Sequence, residues 1–247
     1  MISDIHNKQN VLKLPSANLL LVAGDMTSMG TYEELSNFAN FLSSQKTKFD
    51  SIIVVAGNHE VTIDTDFFNK TGKKYFPKNS IDPLKAKSIL AHNSDFIYLE
   101  DSGTEYKGVK IWGTPWIPPI GDWAFSIPNQ EFAQKVFGKI PEDTDIVISH
   151  SPPHGIMDEV LYYEYKKDPK TYKKVRSSFL KHCGDIELMK RIKQVQPKLH
   201  VFGHIHECSG VELHENTMFV NAAILDHEHL PRNLPKKVVL NLSLIHI

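Results

Sequence analysis

The chain has 247 residues, 41% hydrophobic and 23% charged, with 28 basic and 29 acidic side chains and a net charge of -1. That balance excludes a disordered or fibrous chain and suits one large α/β domain or two small ones, while near-neutrality offers no global field for nucleic acid or an anionic membrane, so neither partner is expected. The two cysteines, Cys183 and Cys208, form no disulfide framework, and the chain shows neither a signal pattern nor an apolar run near the roughly 18 residues of a membrane span, so a cytoplasmic protein is expected.

Leu19–Ala23 is a short apolar run closed by Gly24-Asp25 and reads as a buried strand. Thr31 with Glu34 fits a capping box, and Leu35, Phe38, Phe41 and Leu42 then recur at helical spacing, which predicts a helix over 31–44. Ile52–Ala56 is a second buried strand, closed by Gly57-Asn58. Phe96–Leu99 and Val109–Trp112 read as strands around the polar segment Glu100–Gly108, and Asn129–Val136 as a helix. Asp145–Ser149 reads as a strand ending at His150. The Lys- and Tyr-rich stretch Tyr162–Lys181, with Pro169 inside it, reads as a surface insertion around 158–183, helical in part, with a solvated basic face. Asp185–Val195 reads as a helix and Leu199–Phe202 as a strand running into Gly203-His204. Glu212–Glu215 and Met218–Ala223 suggest a hairpin around Asn216, and Val238–Leu242 a last strand. The expected fold is a single α/β domain over 1–247, two mixed β-sheets in a sandwich flanked by helices. Ligand sites of open α/β sheets collect at strand C-termini.

Those termini carry the chemistry. Asp4 and His6 stand two apart, so in extended backbone both point to one side and can reach one cation. Asp25, at a tight turn, can present both oxygens and bridge two cations. Asn58 offers a neutral amide oxygen, and His59 beside it is directed toward substrate rather than metal. His150 ends a strand, and His204 and His206 repeat the spacing of two. Each residue alone has an ordinary structural explanation as a turn former, a cap or a satisfied imidazole. Five strand ends that each carry a ligand-type residue are hard to explain that way. Seven ligand groups exceed one tetrahedral zinc and fit two ions sharing Asp25. A nitrogen and oxygen set without thiolate suits manganese, iron or zinc, with magnesium disfavoured by four His ligands.

The ordered set Asp4-x-His6, Gly24-Asp25, Gly57-Asn58-His59-Glu60, His150 and Gly203-His204-x-His206 resembles the calcineurin-like metallophosphoesterase superfamily over nearly the whole chain. Leu20–Gly30, Ile53–Glu60, Val109–Trp116, Thr144–Pro153 and Pro197–Glu207 resemble more closely the metallophosphoesterase-domain-containing subfamily, grouped with class III cyclic nucleotide phosphodiesterases. The resemblance implies a first metal site of Asp4, His6, Asp25 and His206 and a second of Asp25, Asn58, His150 and His204, with His59 in the substrate's path as the catalytic residue. It implies a metal-dependent phosphoric ester hydrolase, foremost a phosphodiesterase on a small nucleotide-like diester or cyclic nucleotide. The reaction expected is attack by a hydroxide held between two divalent ions. A phosphomonoesterase and a weakly active metal-binding scaffold are the alternatives.

Three departures bear on this reading. Protein phosphatases of the superfamily carry an Asp and an Arg where this chain has Ser28 and Met29, which argues against a protein phosphatase and leaves Glu60 as a substitute carboxylate partner for His59. Met1 stands three residues before Asp4, so the first strand is expected to be cut short, by truncation or an incomplete gene model, with Asp4 and His6 the least rigidly held ligands. The tail Ser243–Ile247 has no counterpart in the resemblance. Trp112, Pro115, Trp116 and Trp123 are expected near the mouth, as an aromatic wall for a nucleobase or as a packed core edge. His92, His154, His182, His200, His214, His227, His229 and His246 are expected to be structural or surface residues, with Asp226–His229 a solvated loop.

Overall fold

The computed structural model describes residues 1–77, 81–167 and 174–240, without the side chains of residues 73, 163–167 and 174–177. Strand β1 (Ala17–Ala23) shows why the chain folds into layers. Its side chains alternate between two buried faces: Leu20 and Val22 enter one core, Leu21 and Ala23 another. A strand buried on both faces reads as a continuous apolar run, and β2 (Phe49–Val55) follows the same pattern. Full burial of a Val, Leu or Ile side chain contributes about 1.5–3 kcal/mol, so these strands are strongly held between layers.

A three-stranded sheet has the order β1-β2-β3, with β3 at Ile97–Leu99, and its pairs are parallel. The second sheet has six strands and is mixed. It contains β4 (Ser102–Tyr106), β5 (Val109–Thr114), β6 (Ile146–Ser149), β9 (Leu199–Phe202), β10 (Gly210–His214) and β11 (Thr217–Asn221), in the order β10-β11-β9-β6-β5-β4. The sheets meet face to face over Leu21, Ile53, Val55, Ile111, Ile148 and Val201. Helices α1 (Tyr32–Gln45) and α3 (Pro83–Ala91) cover the outer face of the first sheet. Helices α4 (Gln130–Phe137) and α5 (Ile186–Val195) cover that of the second. The expected sandwich flanked by helices is therefore present. The capping box is present too, with Glu34 N–H donating to Thr31 and Thr31 N–H to Glu34.

Several expectations need correction. The polar segment Glu100–Gly108 contains β4, whose side chains are at most half-buried, so it lacks the apolar signal of a core strand. Among the described residues the insertion is not helical: it forms an antiparallel hairpin of β7 (Glu159–Lys167) and β8 (Lys174–His182), in which Leu161 faces Leu180 and Tyr162 faces Phe179. Pro169 lies outside the described residues, as do His246 and the tail 243–247. Residues 238–240 form no strand, and the remainder of that expected element is likewise outside them. Helix α2 (Thr65–Tyr75), capped by Asp64, and α3, capped by Asp82, were not anticipated.

The N-terminal segment is not loosely held. Ile2 pairs with Val22 and Ser3 with Ala223, so residues 2 and 3 stitch the two sheets together. Ser3 N–H donates to Ala222 O (2.9 Å), Asp4 N–H to Gly24 O (3.1 Å), and both Ile5 and His6 N–H to Asp25 O (2.8 and 3.1 Å). Two parallel pairings hold this short segment in place.

Candidate metal centre

Four strand ends converge. After β1 come Gly24-Asp25, after β2 Gly57-Asn58-His59, after β6 His150 and after β9 Gly203-His204-Ile205-His206. Gly24 stands at φ +92°, and a Cβ there would collide with the ring of His150. A Cβ on Gly203 would collide with the Asp4 carboxylate. Glycine is thus the residue that lets these side chains close on one another.

The seven expected ligands lie together. Ligating atoms of Asp4, His6 and His206 fall within 4.8 Å of one another, as do those of Asp25, His150 and His204. Asn58 Oδ1 lies 3.1 Å from His150 Nε2. Asp25 stands between the groups, Oδ2 3.3 Å from His150 Nε2 and 3.7 Å from His6 Nε2. The backbone aims each carboxylate. His59 N–H donates to Asp25 Oδ1 (2.9 Å), and His204 N–H reaches both oxygens of Asp4 (3.1 and 3.0 Å). Two imidazoles are fixed from behind: Nδ1 of His150 donates to Ala23 O (2.8 Å) and Nδ1 of His206 to Asp226 O (3.1 Å), which turns each Nε2 inward. Four of the seven residues hold left-handed backbone, Asp4 (φ +52°), His6 (+41°), Asp25 (+50°) and His204 (+69°). Such strain in non-glycine residues collects at functional sites.

A family model described as calcineurin-like phosphoesterase matches residues 1–208, which include all seven residues. The chain belongs to this family. It is 35% identical over 239 residues to human metallophosphoesterase domain-containing protein 1, covering 95% of this chain and 68% of that protein, and the mouse protein gives the same figures. A Caenorhabditis elegans UPF0046 protein is 33% identical over 246 residues, covering 93% of this chain and 56% of that protein. This phosphoesterase thus groups with the metallophosphoesterase-domain-containing proteins, and family membership makes it a metal-dependent phosphoester hydrolase.

The side chains of this phosphoesterase fit cations. Nε2 of His6 is buried and has no hydrogen-bond partner, with Asp25 Oδ2 beyond hydrogen-bond distance at 3.7 Å. Asp4 and Asp25 are buried carboxylates faced by imidazole nitrogens, and a buried charge needs a counter-charge. Burial pushes His6 and His204 down to about 4, so both are neutral and ready to ligate. Burial also opposes charge on His150 and His206, but Asp25 holds the first up at about 9 and Asp4 the second. Without metal, the protons on these two Nε2 atoms stand where ions would bind. Ions must therefore displace them. Between pH 6.5 and 9, loading is expected to release protons from both residues. Affinity should rise with pH across that window and level off above about 9. Calorimetric metal titrations in buffers of different ionisation enthalpy read the release directly, and an uptake of metal without it would rule out these two ligands.

A cavity of about 230 Å³ opens over the centre, lined by His6, Asp25, Asn58, His59, His204 and His206, and further out by Trp123, Ile120, Glu207, His227 and His229. A larger, mainly apolar cavity of about 590 Å³ lies at the opposite ends of the strands, by Leu19, Val109, Ile146 and Leu199, and includes no His, Asp, Glu or Cys among its described lining residues. The aromatic cluster divides. Trp123 packs on His59 (centroids 4.2 Å apart), whereas Trp116 is tied to Asp101 and packs on Phe132, and Trp112 packs with the core over the second sheet. Glu60 does not partner His59. It is buried beneath the turns, and the Ser28 carbonyl instead accepts from His59 Nδ1 (2.8 Å).

His227 and His229 are exposed, as expected of a solvated loop, and that loop lies at the mouth. The spacing in Asp226-His227-Glu228-His229 was the available signal; the contact of Asp226 with His206 that brings the loop in was not visible from it. His200 is structural, buried with Nε2 on Ser149 Oγ (2.8 Å). Among the described residues no helix is long and apolar enough to cross a membrane.

Proposed function

We propose that the chain is one metallophosphoesterase domain, the β7–β8 hairpin inserted in it, acting as a dimetal phosphodiesterase on small nucleotide-like diesters. Asp4, His6, Asp25 and His206 hold one ion, and Asp25, Asn58, His150 and His204 the other, with manganese, iron or zinc as the metals this donor set suits. Once bound, the pair supplies charge neutralisation at phosphorus and an activated water.

The observation that carries the diester assignment is the charge of the mouth. Among its described lining residues there is no Lys or Arg, and Glu207 stands at its rim. A diester presents one negative charge on two non-bridging oxygens, which two ions can take between them. A monoester dianion brings a third terminal oxygen, for which this mouth has no fixed cation. Trp123 and Ile120 supply a flat apolar wall suited to a planar leaving group.

His59 is held for proton transfer. Its Nδ1–H is committed to Ser28 O and its ring is clamped between His6 (4.5 Å) and Trp123 (4.2 Å), so Nε2 is the free atom. In the protonated ring, Nε2–H donates to the leaving alkoxide. His59→Ala is expected to keep its metal and lose about 10²-fold in turnover, within the usual range for a general acid; undiminished turnover would remove His59 from the mechanism.

The assignment is tested by metal analysis with a substrate panel of a bis-aryl phosphate, 2′,3′- and 3′,5′-cyclic nucleotides and an aryl monophosphate. Diester-selective turnover with two ions per chain is expected. Preference for the monophosphate would make the chain a phosphomonoesterase, and two ions with no turnover on any substrate would make it a scaffold.

A further inference from the structure

The loop that follows β11 is built to hold one side chain over the centre. Asp226 Oδ1 accepts from Glu228 and Leu230 N–H (both 2.9 Å), and Oδ2 from Arg232 (2.7 Å). Backbone bonds close the turn, His229 N–H to Asp226 O (2.9 Å) and Asp226 N–H to Leu230 O (2.9 Å), while Lys8 caps the His229 carbonyl. His229 is thereby kept at φ +56°, a conformation that residues other than glycine seldom adopt. The same Asp226 carbonyl orients His206, so one turn sets both a proposed ligand and the residue above it.

His229 is exposed at the mouth. Its ring lies 5.0 Å from that of His206 and 5.6 Å from that of His6, beside both imidazoles of the first metal group. It is not among the side chains whose ligating atoms cluster within 4.8 Å. It is therefore placed to touch a group bound there rather than to bind the ion. The family model ends at residue 208, before this loop. With no Lys or Arg among the described lining residues, an imidazole N–H is the donor left on that side.

We propose that His229 is a substrate-binding residue that donates a hydrogen bond to a phosphoryl oxygen on the Asp4, His6 and His206 side of the centre. This rests on the phosphoesterase reading of the site but not on the choice of diester. A hydrogen bond to an anionic oxygen of substrate sets affinity more than the rate of bond cleavage.

The test uses the metal-loaded full chain and its His229→Ala and His229→Gln variants. Metal content, binding of inorganic phosphate by calorimetry, and kinetics on a bis-aryl phosphate are measured. His229→Ala is expected to keep two ions and to weaken phosphate about tenfold, the smaller end for a bond to a charged group. KM should rise by a similar factor, with kcat within about threefold. His229→Gln, which restores an N–H donor, should recover part of the loss. Unchanged phosphate affinity and KM, or loss of an ion from His229→Ala, would overturn the proposal. If the wild-type chain turns over no diester, yet phosphate binding still depends on His229, the diester reading fails and this one stands. Diester turnover indifferent to His229 gives the reverse.

Discussion

Asp25→Asn is expected to cripple hydrolysis and empty at least one metal position. Asp25 is the carboxylate between the two ligand groups, with Oδ2 toward both His150 and His6. An Asn keeps the shape, and its carbonyl can still accept from His59 N–H. The backbone bonds of Asp25 to Ile5 and His6 are untouched, so the turn survives. What changes is the atom facing the ions: an NH₂ replaces a charged oxygen and presents hydrogens to them. Charge stabilisation by a metal pair amounts to several kcal/mol, which at about 1.4 kcal/mol per tenfold predicts a loss on the order of 10³-fold in turnover. Metal should also cease to stabilise the fold. Ligands at 100 times their Kd add about 2.7 kcal/mol, a gain the wild-type chain should show on metal addition and the variant should lose in part or whole. Elemental analysis, thermal melts with and without metal, and kinetics on a bis-aryl phosphate read all three. A variant with two ions and full turnover would show that Asp25 does not bridge.

The second large effect is on stability and falls at Glu60. This side chain is wholly buried, and four donors converge on it: Asp25 N–H (3.0 Å) and Gly57 N–H (2.7 Å) on Oε2, Thr27 N–H and hydroxyl (both 2.9 Å) on Oε1. It ties the turn after β1 to the turn after β2, which together carry Asp25, Asn58 and His59. Glu60→Ala leaves three backbone N–H groups buried without partners. At about 1–3 kcal/mol each, the cost is at least about 3 kcal/mol, or roughly 6–12 °C in Tm for a chain of this size. Glu60→Gln should fare little better in the metal-loaded protein, because its NH₂ must meet an N–H donor on either side, those of Asp25 and Gly57 in the Oε2 position or that of Thr27 in the Oε1 position. Burial, and then the charge of Asp25, pushes Glu60 up to about 8 in the metal-free protein. Ions that neutralise Asp25 relieve the second cause, so metal binding should tighten this staple. Thermal melts of both variants check the ranking, and a Glu60→Gln protein as stable as wild type would refute the four-donor account.

The candidate ligands were legible in the sequence for a physical reason. A carboxylate, amide or imidazole at the end of an apolar run has an ordinary explanation by itself, but five such positions, three of them next to a glycine, reinforce one another. The strands were legible because Leu20 to Ala23 fill two cores at once and must all be apolar. Legibility failed where position depends on a distant partner. His229 reaches the mouth because His206 holds the carbonyl of Asp226, and no local spacing encodes that bond. Glu60 was assigned to His59 because the two are adjacent, yet adjacent residues at a turn point apart, and the donors it serves come from two turns. Trp116 and Trp123 are near in sequence but are separated by the loop that makes one a core residue and the other a wall. The edge strand β4 was invisible because a half-exposed face needs no apolar residues.

The pair of hydrogen bonds from His204 to Asp4 spans 200 residues of chain. During synthesis, Asp4, His6, Asp25 and Asn58 emerge long before anything can close over them, and non-local contacts of this separation form late in folding. Metal is therefore not expected to be the nucleus on which this protein folds. Refolding in the presence of a chelator should regain the sheets at the same rate as refolding with metal, and ions added afterwards should bind at once. Any cut that releases the segment around Asp4 should discharge both ions together, since that segment also seams the two sheets beneath them.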